Sequence, residues 1–327
     1  MVVIDVDLSP AVRVRIQSLS ASLRLLDGIS EATISQADVI YTGRADFNPS
    51  QAPNLRWIQT NSAAVESLPS RPVAASGIPV ANVRGAYTVA VAEMAVQMML
   101  ALVRRFGDIH SLQLDRRWPT EYAPLAAERC HGKRLGIVGY GSIGRQVGRI
   151  AKAMGMPVLA CKRRPEIRQE QQRGFRFPDT GDPDGEIPEA WFGPDEIAEM
   201  FKTTDIAVMT LPATTETRSI VGRRELEALP ASAYLVNIGR GAVLDEQALI
   251  ECLQSGGIAG AALDVFAEEP LDSQSPLWTM ENVLVAPHLG SYTNDQRDMA
   301  AEVLIENLSR YLNNRPLLDL VDLARGY

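Results

Sequence analysis

Apolar residues in this chain come in short runs that alternate with stretches of helical spacing. Over the first ninety residues the runs and helical stretches pass through Val2 to Val6, Val12 to Leu26, Val39 to Tyr41, Leu55 to Gln59 and Val73 to Ala75. This alternation predicts βα units on a largely parallel sheet, because a parallel strand needs a crossover connection before the next one. Beyond Gly85, apolar residues at Val89, Ala92, Val96, Met99, Leu102 and Val103 keep a period near 3.6, which predicts one long helix over 86–106. Leu135 to Val138 reads as a strand buried on both faces. Strand and helix patterns then alternate to residue 288, with the strongest strands at Val158 to Cys161, Ile206 to Thr210, Tyr234 to Ile238, Gly260 to Leu263 and Val283 to Ala286. Helical spacing returns from Asn294 to Leu312. Residues 174–194 break the rhythm with Pro178, Gly181, Pro183, Gly185, Pro188, Gly193 and Pro194. Such dense punctuation predicts a surface excursion, expected to be an idle loop, with a lid or an interface arm as the alternatives.

Composition narrows the class. With 46 % hydrophobic and 22 % charged residues the chain is a folded globular one, and 327 residues suggest two domains at roughly 150 residues each. The balance of 32 Lys+Arg against 40 Asp+Glu gives −8, which argues against nucleic acid or an anionic membrane as the main partner. An anion must then be held by a local site. The opening Met1 to Asp7 places two acids where a signal peptide would be basic, and the longest apolar tract, Val89 to Val103, carries Glu93 and falls short of the ~20 residues that span a bilayer. Three scattered cysteines, Cys130, Cys161 and Cys252, suit neither a disulfide framework nor a metal knuckle. A reducing, cytoplasmic setting is expected.

Gly139-Tyr140-Gly141-Ser142-Ile143-Gly144 has the spacing G-x-G-x-x-G, directly after a strand and before a helix. In that context Gly139 permits a tight turn, Gly141 lets backbone approach a pyrophosphate, and Gly144 lets helix and strand pack closely. Where a carboxylate would read the adenosine 2′-hydroxyl, the chain carries Lys162-Arg163-Arg164. Three cations would attract a 2′-phosphate, so NADP is expected as cofactor, with NAD as the alternative.

Three further segments end buried strands with chemically selected residues: Asn237-Ile238-Gly239-Arg240-Gly241, Asp264 to Pro270, and Pro287-His288-Leu289-Gly290. Together with the glycine turn, in this order and at these separations, they resemble the D-isomer-specific 2-hydroxyacid dehydrogenase family. The likeness extends over nearly the whole chain, and the basic corner makes it similar to the glyoxylate and hydroxypyruvate reductase branch. The resemblance implies a Rossmann-type doubly wound parallel-sheet cofactor domain over 97–289, inserted into a smaller flavodoxin-like α/β substrate domain of residues 1–96 and 290–327. It implies a homodimer, with substrate in the cleft between the domains.

It also implies reduction of a small 2-keto acid to the D-2-hydroxy acid. Arg240 suits the substrate carboxylate because a guanidinium presents a planar fork. His288 suits the proton donor because an imidazole titrates near neutrality, and Glu269 would orient its ring. The family places Ile238, Gly239, Asp264, His288 and Gly290 near the nicotinamide, and Thr88, Leu211, Pro212 and Thr217 along the cofactor. The loop Ala63-Ala64-Val65 resembles the one whose N–H groups meet the substrate carboxylate, with Ala64 where many members have Gly. A dinucleotide-sensing corepressor and a phosphoglycerate dehydrogenase are the rival readings. The expectation leans against the first because no partner-recruiting tail is read beyond the last helix, and against the second because the chain reads as too short for the regulatory domain of its larger forms.

Overall fold

The computed structural model describes residues 1–65, 67–170 and 174–322. The first 88 residues run through β1 (Val2–Asp5), α1 (Pro10–Ser18), β2 (Leu25–Asp27), α2 (Glu31–Ile34), β3 (Val39–Thr42), β4 (Trp57–Thr60) and β5 (Val80–Ala81). Two helices follow, α3 (Thr88–Val103) and α4 (Phe106–Leu114). Then come β6 (Leu135–Val138), α5 (Ser142–Ala153), β7 (Val158–Cys161), β8 (Ala190–Phe192), α6 (Ile197–Phe201) and β9 (Ile206–Met209). The chain closes with α7 (Arg223–Ala228), β10 (Tyr234–Asn237), α8 (Glu246–Gln254), β11 (Gly260–Leu263), β12 (Val283–Val285) and α9 (Gln296–Leu312).

These elements form two compact units. The first takes the described residues of Met1–Thr88, Gln171–Pro178 and Tyr292–Tyr327. Its sheet has the order β2-β1-β3-β4-β5, with every pair parallel. This is the flavodoxin-like order. Successive side chains alternate faces: Val3, Ile40 and Ile58 enter one core, while Ile4, Tyr41 and Trp57 enter the other under Ala301, Leu304 and Leu308 of α9. Buried Asn307 of α9 donates to Gln59 Oε1 at 2.9 Å and accepts from Leu318 N at 2.7 Å, whereas the buried Tyr41 hydroxyl and Trp57 Nε1 of that core meet no partner among the described residues.

The second unit takes Val89–Glu170 and Asp179–Ser291. Its seven parallel strands have the order β12-β11-β10-β9-β6-β7-β8. The chain winds outward in both directions from β6, so the switch point falls between the carboxyl ends of β6 and β9, where doubly wound folds bind ligands. Leu135 pairs with Ile206 and Val138 with Met209, which aligns the two strand ends. Val138, Met209, Leu235 and Leu263 pack with Phe201 and Leu249 of α6 and α8 in one core.

Several expectations are corrected. The helix expected over 86–106 starts at Thr88 and stops at Val103, because Arg105 turns left-handed at φ 52° and its N–H bonds Leu102 O instead of continuing the ladder. The chain restarts as α4, none of whose residues is buried. Val12 to Leu26 divides into α1 and the start of β2, and Val73–Ala75 forms a helical turn opened by Pro72. Proline lacks the N–H a sheet ladder needs there. The excursion is not idle. It supplies β8, the edge strand beside β7, and buries Asp182 to 6 % exposure. Its start belongs to the first unit, where Phe175 N–H donates to the buried Asp319 carboxylate at 2.8 Å. Burial pushes the Asp319 carboxyl up to about 6, against the pull of that N–H and of Arg84.

Candidate active site

The carboxyl end of β6 delivers the glycine turn. Gly139 sits at φ 104°, a conformation side chains avoid, and a Cβ there would press on Leu211 at 3.0 Å. At Gly144 a Cβ would collide with the Gly139 carbonyl, while Gly141 opens onto empty space. The N–H groups of Gly139 and Tyr140 are used, both donating to Cys161 O at the end of β7, at 2.9 and 3.0 Å. Among the described residues, the N–H groups of Ser142, Ile143 and Gly144 meet no acceptor, and the first turn of α5 carries no acid. Free donors at the positive end of a helix form a seat for an anion, and an open glycine beside them admits a dinucleotide pyrophosphate.

The basic corner divides. Lys162 is half-buried, its ammonium donating to Ile167 O at 2.6 Å and lying 5.7 Å from the Trp191 ring centre. Burial lowers its pKa, and the nearby Arg145 charge adds to the effect. Arg163 and Arg164 are exposed, and Arg163 reaches Glu216 at 3.4 Å. The outward positive charge of this corner therefore rests on the two arginines.

Two carboxylates and an imidazole meet beyond β11 and β12. His288 Nδ1 lies 2.7 Å from Glu269 Oε2, and Glu269 Oε1 accepts from Phe266 N at 3.0 Å. Of the two adjacent acids, Glu269 is the one that the structure places against the ring. His288 is left-handed at φ 55°, and its N–H donates to Asp264 O at 2.9 Å. Asp264, buried to 2 %, accepts from Leu289 N at 2.7 Å and Gly290 N at 2.9 Å. Burial raises its pKa while those two N–H bonds hold it down. Asp264 thus shapes the turn that presents the imidazole, and each of its oxygens keeps acceptor capacity.

Arg240 follows β10 on a turn that only glycines allow. A Cβ on Gly239 would lie 2.6 Å from Leu211 O, and one on Gly241 would fall on the Phe266 carbonyl. Three loops therefore pack backbone against backbone. Buried Asn237 braces the turn, donating to Arg240 O and accepting from Gly239 N, both at 3.1 Å. The Arg240 side chain is half-buried and donates to Gly239 O at 2.9 Å. Asn237 carried no assigned role in the sequence, nor did Glu246, whose carboxylate accepts from Ala267 N at 3.0 Å and holds the loop leading to Glu269. Asn237, two residues before Gly239, carried a signal in its place beside the motif, whereas Glu246 lies five residues beyond Gly241 and had none.

The remaining candidates divide between the units. Leu211 abuts Gly139, and Thr217 Oγ1 donates to Pro212 O at 2.6 Å while accepting from Thr214 N at 2.8 Å, which closes the turn after β9. Ile238 is buried at the end of β10. Thr88, Ala63, Ala64 and Val65 belong to the first unit. There Thr88 is buried at the start of α3, Asn82 Nδ2 donates to Ala63 O at 3.2 Å, Ala64 N donates to Ser62 Oγ at 3.1 Å, and Val65 is buried in the core.

Comparison with known proteins decides the family. Residues 96–290 match the family described as D-isomer specific 2-hydroxyacid dehydrogenase, NAD binding domain. The chain belongs to this family. The dehydrogenase is 34 % identical over 269 residues to a glyoxylate reductase of Thermococcus gammatolerans, covering 80 % of this chain and 75 % of the relative. It is 35 % identical over 259 residues to glyoxylate/hydroxypyruvate reductase B of Yersinia pestis, covering 79 % and 74 %. A D-isomer specific 2-hydroxyacid dehydrogenase from Xanthobacter autotrophicus, solved with NADPH and MES, superposes at a TM-score of 0.79 with 28 % identity, over 100 % of this chain and 99 % of that one. All seven strands of the dehydrogenase's second sheet fall within the matched residues. Among its described residues no helix is long and apolar enough to cross a membrane.

Proposed function

We propose that this dehydrogenase reduces a small 2-keto acid of the glyoxylate or hydroxypyruvate kind to the D-2-hydroxy acid, with NADPH favoured over NADH. The observation that carries the reading is the His288–Glu269 pair at 2.7 Å, standing in the same unit as the free N–H groups of Ser142, Ile143 and Gly144. A bound nicotinamide supplies the hydride. Arg240 holds the substrate carboxylate with two parallel donors. Glu269 occupies His288 Nδ1, so Nε2 is the nitrogen that gives a proton to the keto oxygen. Asp264, Ile238, Gly239 and Gly290 border the nicotinamide, and Leu211, Pro212, Thr217 and Thr88 the rest of the cofactor. Ala63, Ala64 and Val65 are assigned to the substrate carboxylate, residues 97–289 to the dinucleotide, and 1–96 with 290–327 to the substrate.

Purified protein given glyoxylate, hydroxypyruvate, pyruvate and phenylpyruvate with each cofactor tests the reading. Turnover of at least one acid supports it, and binding of cofactor without turnover of any would favour a sensing role. The NADPH preference is supported by the similarity to the NADPH complex and by the exposed Arg163 and Arg164. Neutralising Lys162, Arg163 and Arg164 together is expected to lower the ratio of NADPH to NADH kcat/KM by about 10-fold or more, at ~1.5–3 kcal/mol for each bond to a charged group. Lys162 alone should contribute least, because its ammonium already faces Ile167. An unchanged ratio in the triple variant would reduce the corner to a solvated surface.

We assign a homodimer to the α4 region and a cytoplasmic location to the chain. A nine-residue helix that buries nothing is marginal alone, yet α4 exposes Phe106, Ile109 and Leu114, with Trp118 and Tyr122 beyond it. A second copy would cover these residues. Phe106→Ser with Leu114→Ser is expected to shift the sedimentation mass from two copies to one. A wild-type monomer would refute the assignment. The three cysteines are all free thiols, as a reducing compartment keeps them.

A further inference from the structure

Helix α5 buries Arg145 to 1 % exposure, and a buried charge persists only where it is well bonded. Its guanidinium donates to the carbonyls of Asp182 and, at 2.6 Å, of Arg168, and it lies 5.2 Å from the centre of the Tyr140 ring. Tyr140, the residue between the first two glycines of the dinucleotide turn, is itself 1 % exposed. Its ring lies against Gly148, where a Cβ would stand 2.8 Å from the phenol oxygen, and nearly perpendicular to the Trp191 ring, with the ring centres 5.2 Å apart. The hydroxyl donates to Asp182 Oδ2 at 3.0 Å. The Asp182 carboxylate also accepts from Glu186 N at 3.0 Å and Ile187 N at 3.2 Å. Gly181 N donates to Gln146 Oε1 at 2.7 Å, so residues 181–187 grip both the helix and the turn before it.

We propose that the Tyr140–Asp182 bond, seated on Arg145, is a brace that keeps the Gly139–Gly144 turn in its dinucleotide-binding shape. Tyr140 and Asp182 are then positioning residues for the cofactor. Gly139 and Gly141 are the most freely rotating positions in the turn, and the residue between them is the one place where a side chain can fix both. Anchoring that side chain lowers the ordering cost that pyrophosphate binding to Ser142, Ile143 and Gly144 would otherwise carry. Burial, reinforced by the Asp182 charge, raises the Tyr140 pKa, so the hydroxyl remains a donor throughout the working pH range. Coupling is reciprocal: a dinucleotide that relies on the brace must also steady the excursion. The excursion thus takes part in cofactor binding from a distance, through the turn and not by contact with the 2′-phosphate.

Tyr140→Phe removes only the hydroxyl and leaves the packing on Gly148 intact. Calorimetric titration is expected to show the Kd for both NADPH and NADH raised about fivefold, with kcat within roughly twofold of wild type, as the loss of one net hydrogen bond implies. Hydrogen exchange should show that NADPH protects the Glu186 and Ile187 amides in wild type and not in the variant. Asp182→Asn should repeat the pattern, and if it does not fold, Tyr140→Phe decides alone. Unchanged Kd values for both cofactors would overturn the brace. So would weakened binding of NADPH alone, which would place the effect at the basic corner, or a fall in kcat with binding intact. The inference rests on the glycine turn as the dinucleotide seat. Failure of wild type to bind either dinucleotide would remove seat and brace together, and is distinguished from failure of the brace, where wild type and variants bind equally.

Discussion

His288→Asn is expected to lower kcat for keto-acid reduction by about 10²- to 10⁴-fold, the usual contribution of a positioned general acid. Asparagine is chosen because His288 lies at φ 55°, a left-handed conformation that Asn tolerates better than Ala or Gln, so the turn and its N–H bond to Asp264 O survive. The amide can still meet Glu269 but has no proton to surrender to an alkoxide. NADPH affinity should change little, since the N–H groups proposed for the pyrophosphate lie on α5. Steady-state kinetics on the best substrate of the keto-acid panel, with a direct cofactor titration, separates the two effects. A loss below about 10-fold would mean that another group or water supplies the proton, and the assignment would fall. Glu269→Gln should cost less than His288→Asn, because a glutamine oxygen still accepts the Nδ1 proton that fixes the ring.

The strands that carry the chemistry were legible because parallel strands buried on both faces write themselves as continuous apolar runs. β6, β7 and β11 have the boundaries their runs indicate, and each leads into a motif. Elements at the margins were not. β8 is a half-buried edge strand of three residues, too short and too exposed to show a run, and β5 has only two residues. The break at Arg105 is a single left-handed residue within a strongly apolar helical pattern, and periodicity has no term for it.

The site divides in the same way. His288, Glu269 and Arg240 stand out in the sequence because glycines and a proline isolate them, and the structure adds why: Gly239 and Gly241 let three strand ends touch backbone to backbone. Asp264 could be placed near the site but not given its bonds, since capping Leu289 and Gly290 joins residues 25 and 26 positions away. Tyr140 and Asp182 were hidden more deeply. Their bond spans 42 residues, and Asp182 sits in a stretch whose prolines, glycines and acids have the composition of a solvated loop. Composition reports how often such residues are exposed, whereas burial depends on whether donors converge on them.

Arg240→Ala is expected to reduce kcat/KM for the keto acid by about 10²- to 10⁴-fold, because two charge-assisted bonds are lost at ~1.5–3 kcal/mol each. NADPH binding should remain close to wild type. The basis for that separation is local: the turn is held by Asn237 through the Arg240 carbonyl and the Gly239 N–H, and both are backbone groups that alanine retains. Arg240→Lys tests the fork directly. An ammonium keeps the charge but offers no parallel pair of donors, so if planar recognition matters, Lys should recover only a small part of the loss and mainly in KM. Recovery of most of the activity by Lys would show that charge alone suffices. Loss of NADPH binding in Arg240→Ala would instead move Arg240 from the substrate to the cofactor and leave the substrate carboxylate without its proposed partner.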